Sequence, residues 1–518
     1  MNRYKKANEG IHAPEEVKEK AARPAGRRSY ARWAGAVAAV LAVVMLGGAA
    51  MQSGLFSRPN GPVSGPYSDP NPGRSGGPLS AHALALAVCP EMAPYPREEE
   101  YVGADGTVDH NAWSDDYSAW WESRTTLRSG TDYTGMLDKF LSASAAQFLT
   151  NAGEDNRVYS PLNVYMALSM LAETTGGDSR QQILDLLQAD SIEALRERAA
   201  ALWKDHYRDD GAVTSILGSS LWLKDGMTYS QETLDTLAEQ YYASSFSGEM
   251  GSEEYNQALR DWLHEQTGGL LKEQANGLKM DPDTVLALAS TIYFKAAWND
   301  EFSKEHTETD TFHAPSGDVD ADFMRQTMED AYYWGSNFTA VQLSFQQSGD
   351  MWLILPAEGY SVDELLESGE AMEFLLAPKY DRYDENGDVA WEGWTGQKRL
   401  KINLSMPKFD VSSDLNLIDG LKELGVTDVF DWHVSNFDPL DASTDDPLYV
   451  SQAKHAARVK VDEEGCEAAA YTVIMVAAEA AMLPDDEVDF VLDRPFLFAI
   501  TAESGLPLFT GVVNQPNG

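Results

Sequence analysis

Cysteine is nearly missing from this sequence: Cys89 and Cys466 are the only two among 518 residues. Two thiols so far apart provide neither a disulfide framework nor a cysteine-based metal cluster, so stability has to come from packing. Basic residues are scarce too, 39 Lys and Arg against 82 Asp and Glu. The resulting formal net charge of -43 excludes nucleic acid as a partner, because a phosphate backbone needs cations to displace its counterions. Hydrolase and metal signatures are lacking. The one G-x-S-x-G match, Gly73 to Gly77, sits in a Pro- and Gly-rich stretch without the strand and helix of a nucleophile elbow. No H-E-x-x-H occurs, and the acidic run from Asp381 to Asp388 misses the calcium-loop register, which counted back from Gly387 would begin on Arg382. No catalytic residue, metal or cofactor is expected.

What is present is unevenly arranged. Residues 1–32 hold nine Lys or Arg against four Glu, a basic tail ahead of an acidic body. Residues 33–51, WAGAVAAVLAVVMLGGAAM, are free of charge and follow Arg27, Arg28 and Arg32. That length spans a bilayer, and the flanking positive charge places the tail inside, which predicts a single-pass anchor with the body outside the cell. The competing reading is a cleaved signal peptide and a secreted body, since Ala49 and Ala50 are small. Residues 52–80 are dense in Pro, Gly and Ser and read as a linker. Residues 81–133 carry an aromatic cluster at Tyr117, Trp120 and Trp121, and the sequence attaches no chemistry to this extension.

The body, 134–518, alternates helical and strand patterns. Leu137, Phe140, Leu141, Ala145 and Phe148 recur at helical spacing, and a second helix is predicted from Pro161 to Thr175, stopped by Gly176-Gly177. Residues 285–298, VLALASTIYFKAAW, read as a buried strand. Strands predicted over 399–411 and 447–464 flank a helix at about 415–424, on which Leu417, Leu421 and Leu424 share a face. The fold class is α+β with extensive sheet.

From Cys466 to Leu483 the chain contains neither Pro nor Gly. Read in alternation, Cys466, Ala468, Ala470, Thr472, Ile474, Val476 and Ala478 form one face, uncharged and with nothing larger than Ile. A strand that is to be buried and paired on both edges requires this pattern. An ordinary buried strand or an Ala-rich helix would satisfy it as well.

Several runs together resemble the serpin family: Tyr159-Ser160-Pro161-Leu162-Asn163, Ile292-Tyr293-Phe294-Lys295-Ala296-Ala297-Trp298, Met406-Pro407-Lys408-Phe409, Arg494-Pro495-Phe496-Leu497-Phe498 and Pro507-Leu508-Phe509-Thr510-Gly511-Val512-Val513-Asn514. They stand in the family's order over about residues 134–516. The resemblance implies a serpin fold, a large multi-stranded mixed sheet with surrounding helices and an exposed reactive-centre loop, in a bacterial-type secreted or anchored protein acting as a monomer. It implies a partner, a serine protease, trapped as an acyl-enzyme when the cleaved loop inserts into the sheet. The implied hinge is Glu463, Gly465, Cys466, Glu467, Ala468, Ala469 and Ala470, with Cys466 departing from the usual Thr, Ser or Val. The family's loop length, seventeen residues from Glu463, puts the scissile bond between Glu479 and Ala480, with Ala478 as the alternative. Glu479 implies a Glu-specific protease; the alanines imply an elastase-like or subtilisin-like one. Ser160, Asn163, Ser290 and His455 fall where the family keeps a polar cluster that lets the sheet open, with the usual Ser and Asn exchanged between Asn163 and Ser290. Trp298 falls where the loop first enters. The alternative is a non-inhibitory serpin acting as a surface binding or structural protein. Cys466, Ala468, Ala469 and Ala470 lack the bulk, charge or Pro common in such relatives.

Overall fold

The computed structural model describes residues 78–516 apart from 104–105, 134, 273–274, 276–277, 283, 378–381, 384–388, 391–393, 442–447 and 467–485. The basic tail, the apolar segment 33–51 and nearly all of the linker lie outside them. Among the described residues no helix is long and apolar enough to cross a membrane.

Two large sheets organise the body. The first runs β1 (Ala83–Ala85), β5 (Ala243–Gly248), β4 (Val213–Lys224), β6 (Leu286–Ala297), β16 (Gly465–Cys466), β15 (Lys454–Val461) and β14 (Phe409–Asn416), with β3 (Arg208–Asp209) beside β4. The second runs β17 (Glu487–Val491), β13 (Gln397–Pro407), β8 (Gly317–Trp334), β9 (Phe338–Ser344), β10 (Asp350–Pro356), β18 (Phe496–Thr501), β19 (Pro507–Val513) and β2 (Arg157–Tyr159), with β7 (Glu308–Ala314) beside β8. Both sheets are mixed, because β4 pairs parallel with β5 and β13 parallel with β17. Strand β4 is buried at nearly every position, as expected of a strand covered on both faces. Apart from these, β11 (Arg382–Tyr383) pairs antiparallel with β12 (Val389–Ala390).

The described helices are α1 (His110–Leu127), α2 (Asp138–Leu149), α3 (Pro161–Thr174), α4 (Gly177–Leu186), α5 (Ile192–His206), α6 (Gln231–Gln240), α7 (Glu253–Gln266), α8 (Val362–Ser368), α9 (Glu370–Leu376) and α10 (Ile418–Glu423). All five apolar residues that predicted α2 are buried. Helix α3 is capped by the Ser160 hydroxyl, which accepts from the Asn163 amide, and starts with Pro161, whose missing N–H costs nothing at that position. Its sides are almost wholly buried between the sheets.

Three predicted elements differ. The run 399–411 is two strands in different sheets: β13 ends at Pro407, which has no N–H to continue the ladder, and the Lys408 amide donates to Asp322 O before β14 begins. Of the described residues in 447–464 only Lys454–Val461 belongs to a long strand, since those before it bond to helical segments rather than to a sheet, Val450 N to Val429 O and Ala453 O to Leu417 N. The helix at 415–424 shortens to α10.

Candidate functional site

The chain leaves β15 at Val461, turns, and returns at once into the same sheet. The Asp462 amide donates to Gly465 O, and the Asp462 carboxylate accepts from the Glu464 amide at 3.0 Å, closing a tight turn. Gly465 and Cys466 then pair with Ala297 and Ala296 of β6 on one side, while Cys466 pairs with Val461 of β15 on the other. Gly465 is required here: a Cβ would lie 2.3 Å from Ala296 O. Among the described residues no ladder joins β6 to β15 directly, so these two residues are the join between two half-sheets.

Every carbonyl of the turn is held. Trp298 donates its indole N–H to Asp462 O at 2.9 Å and its amide to Glu464 O, and the Phe302 amide donates to Glu463 O. Trp298 is fully buried and stacks on Phe345 with ring centroids 4.7 Å apart. The Glu463 carboxylate is buried against Lys408 Nζ at 3.0 Å and the Thr307 hydroxyl at 2.9 Å. Burial pushes this carboxyl up, but hydrogen bonds from its own backbone, Lys408 and Thr307 outweigh it and hold it below its usual range. At the solvent edge Lys304 pairs with Glu464 at 2.6 Å.

The polar cluster lies deeper along the same seam. Ser290 is six residues before Ala296 on β6, and His455 six before Val461 on β15, so both flank the seam about 20 Å from Cys466. His455 Nε2 accepts from the Ser160 amide at 3.0 Å, which puts its ring proton on Nδ1, and complete burial pushes its pKa down to about 4. Asn163 reaches from α3 and makes two bonds to Ser290: its Nδ2 donates to Ser290 O at 3.1 Å, and its Oδ1 accepts from the Ser290 hydroxyl. Ser219 on β4 extends the chain, its hydroxyl 3.4 Å from that of Ser290. Ser160, Asn163, Ser290 and His455 are thus one connected group, while Trp298 stands apart at the hinge.

Glu463, Gly465 and Cys466 stand together at the seam. Glu467, Ala468, Ala469, Ala470, Ala478, Glu479 and Ala480 lie outside the described residues. Sequence reasoning did not find Lys408, Thr307, Lys304 or Phe302 as partners of the turn. Lys408 stands in a recognised motif, but its contact with Glu463 spans 55 residues and leaves no local signal.

This is a protein whose central sheet takes up a strand from its own returning chain. The profile described as Serpin (serine protease inhibitor) matches residues 138–516, and the chain belongs to that family. It is 28% identical over 407 residues to serpin-ZXA of rice, Oryza sativa subsp. japonica, covering 76% of this chain and 98% of that protein. The structure of Arabidopsis AtSerpin1 in its native stressed conformation superposes with a TM-score of 0.63 at 25% identity, over 75% of this chain and all of that one. The thermophilic serpin tengpin in its native state matches in fold at the same TM-score and 24% identity, over 75% of this chain and 96% of that one.

Proposed function

We propose that this chain is a suicide inhibitor of extracellular serine proteases, cleaved between Glu479 and Ala480, with cleavage after Ala478 as the neighbouring alternative. The observation that carries the reading is the seating of Gly465 and Cys466 as a two-residue strand between β6 and β15. Cys466 is buried on the face it shares with Ala296 and Val461. Continued in register, Ala468, Ala470, Thr472, Ile474 and Val476 would take that same face, and Val476 would reach the level of Leu286 at the far end of β6. These are the small, uncharged residues of the alternating pattern, so each inward position can be filled without burying a charge.

In this mechanism the protease's serine attacks the scissile carbonyl, its proton passes to the protease's histidine, and the new amine leaves, giving an ester. Insertion of the freed strand then competes with attack of water on that ester. About fourteen to sixteen residues at roughly 3.3 Å each carry the protease on the order of 50 Å along the sheet, deforming its active site before deacylation. The inhibitor contributes position and stored conformational energy. The apolar segment 33–51 would hold this body on the outer face of a cell membrane, or its cleavage would release it.

Incubation of the full chain with an elastase, subtilisin and a Glu-specific endopeptidase, followed by denaturing electrophoresis and sequencing of the released peptide, tests the reading. A denaturant-resistant complex with a new N-terminus at Ala480, or one residue away, is expected. Complete cleavage without complex, and without a gain in thermal stability, would overturn inhibition in favour of a binding or structural role.

A further inference from the structure

The extension 79–128, to which the sequence attaches no chemistry, is bound along the half-sheet that borders the seam. Leu79 is buried with Trp222, Phe246, Tyr255 and Trp262. Strand β1 pairs with β5, and the Ala87 amide donates to the Ser244 hydroxyl. The chain then climbs to the start of β4, where the Tyr95 amide donates to Asp210 O at 2.7 Å. Helix α1 follows and meets a buried ionic group. The Asp210 carboxylate accepts from the indole of Trp120 at 3.0 Å, from two nitrogens of Arg208, and from the amides of Ala212 and Val213. Arg124, 4% exposed, pairs with Glu503, which also meets Arg128 at 2.5 Å and Arg208 at 3.5 Å.

The two ends of this group belong to different sheets. Asp210 precedes β4 of the first sheet, in register near the hinge because Val213 stands opposite Ala296. Glu503 lies in the turn between β18 and β19 of the second. Arg208 also donates to Gln347 O in the β9–β10 turn, whose Gln346 amide bonds Ala297 O and whose Phe345 stacks on Trp298. The corner held by α1 is therefore continuous with the hinge. If the seam opens by moving the half-sheet β1-β5-β4-β6 relative to the second sheet, α1 would span that movement, because it contacts both.

We infer that the extension is a strap: α1, through Trp120 to Asp210 and Arg124 to Glu503, ties the half-sheet to the second sheet and sets the barrier to opening. The inference rests on the inhibitory reading. Glu503→Gln keeps the shape and removes the charge, so it retains the packing of the fold; Trp120→Phe removes the indole hydrogen bond but also shortens a fully buried side chain, so it is read against the Gln variant. Full-length wild type and variants would be warmed without protease and assayed for conversion to a denaturant-resistant form, and the melting temperatures of intact and loop-cleaved protein compared. About tenfold faster conversion is expected, with the intact form melting lower and the cleaved form nearly unchanged, because the strap resists only the opening step. Conversion at the wild-type rate, or equal lowering of both melting temperatures, would overturn the strap and leave an ordinary structural contact. If the wild type itself gained no stability on cleavage, the inhibitory reading would fail first, and the strap with it.

Discussion

Cys466 stands opposite Ala296 on one strand and Val461 on another, and each of those strands carries a member of the polar cluster six residues further back. Continued in that register, Thr472, six residues beyond Cys466, would stand at the level of Ser290 and His455 if the segment inserts as proposed. Thr472→Val should lower the stability of the loop-cleaved form by about 1 kcal/mol, the worth of one hydrogen bond, and leave the intact form unchanged. Denaturant unfolding of both forms would check this, and equal effects on both would refute the register.

Removing charge at the hinge should loosen it. Glu463→Gln loses the ion pair with Lys408, and the intact form should lose about 2 kcal/mol in urea unfolding. The pH dependence has a definite sign. Because the folded carboxyl is held below its ordinary value of 4.5, its stabilisation is present above that value and disappears as pH falls through the folded pKa. The Gln variant should lack this acid loss.

His455 gives a second pH window. Its folded pKa of about 4 lies below the ordinary 6.5, so below pH 6.5 the unfolded chain takes up a proton that the folded one refuses. Stability should decline between pH 6.5 and 4 by about 3 kcal/mol from this group. His455→Asn should flatten that slope in melting curves taken across the range. An unchanged slope would exclude His455 as its source.

The exchange of residue types between Asn163 and Ser290 should behave as a pair. Asn163→Ser or Ser290→Asn alone should each cost about 1–3 kcal/mol, since each strands a buried partner. The double substitution should recover at least 1 kcal/mol of the sum in a double-mutant cycle and restore complex formation with protease. Two additive losses would count against the exchange.

Gly465 should tolerate nothing larger. Gly465→Ala drives a methyl into Ala296 O and should turn the chain from inhibitor towards substrate, read as a rise in the molar ratio of inhibitor needed per protease.

Legibility from sequence followed the range over which each signal acts. Helix α2 and strand β6 were readable because their apolar residues follow the geometry of one element. The change of sheet at Lys408 was not, because the run 399–411 keeps its strand character while its partner changes. The hinge's small residues were visible in order, but the partners that fix its turn come from Trp298 and Lys408, far along the chain. The ionic group around Asp210 and Glu503 was invisible for the same reason: its members span Trp120 to Glu503 and share no motif.

The two seated residues also change which event would limit the proposed trapping step. A free loop would first have to find the slot, and that search carries the loop-closure entropy that slows most strand additions. Here closure has already been achieved by a turn of four residues, Asp462 to Gly465. In the proposed mechanism insertion would thus begin from a formed nucleus and continue by propagation, one residue after another as in closing a zipper. The race at the ester would then set that propagation, with the seam opening it needs, against deacylation.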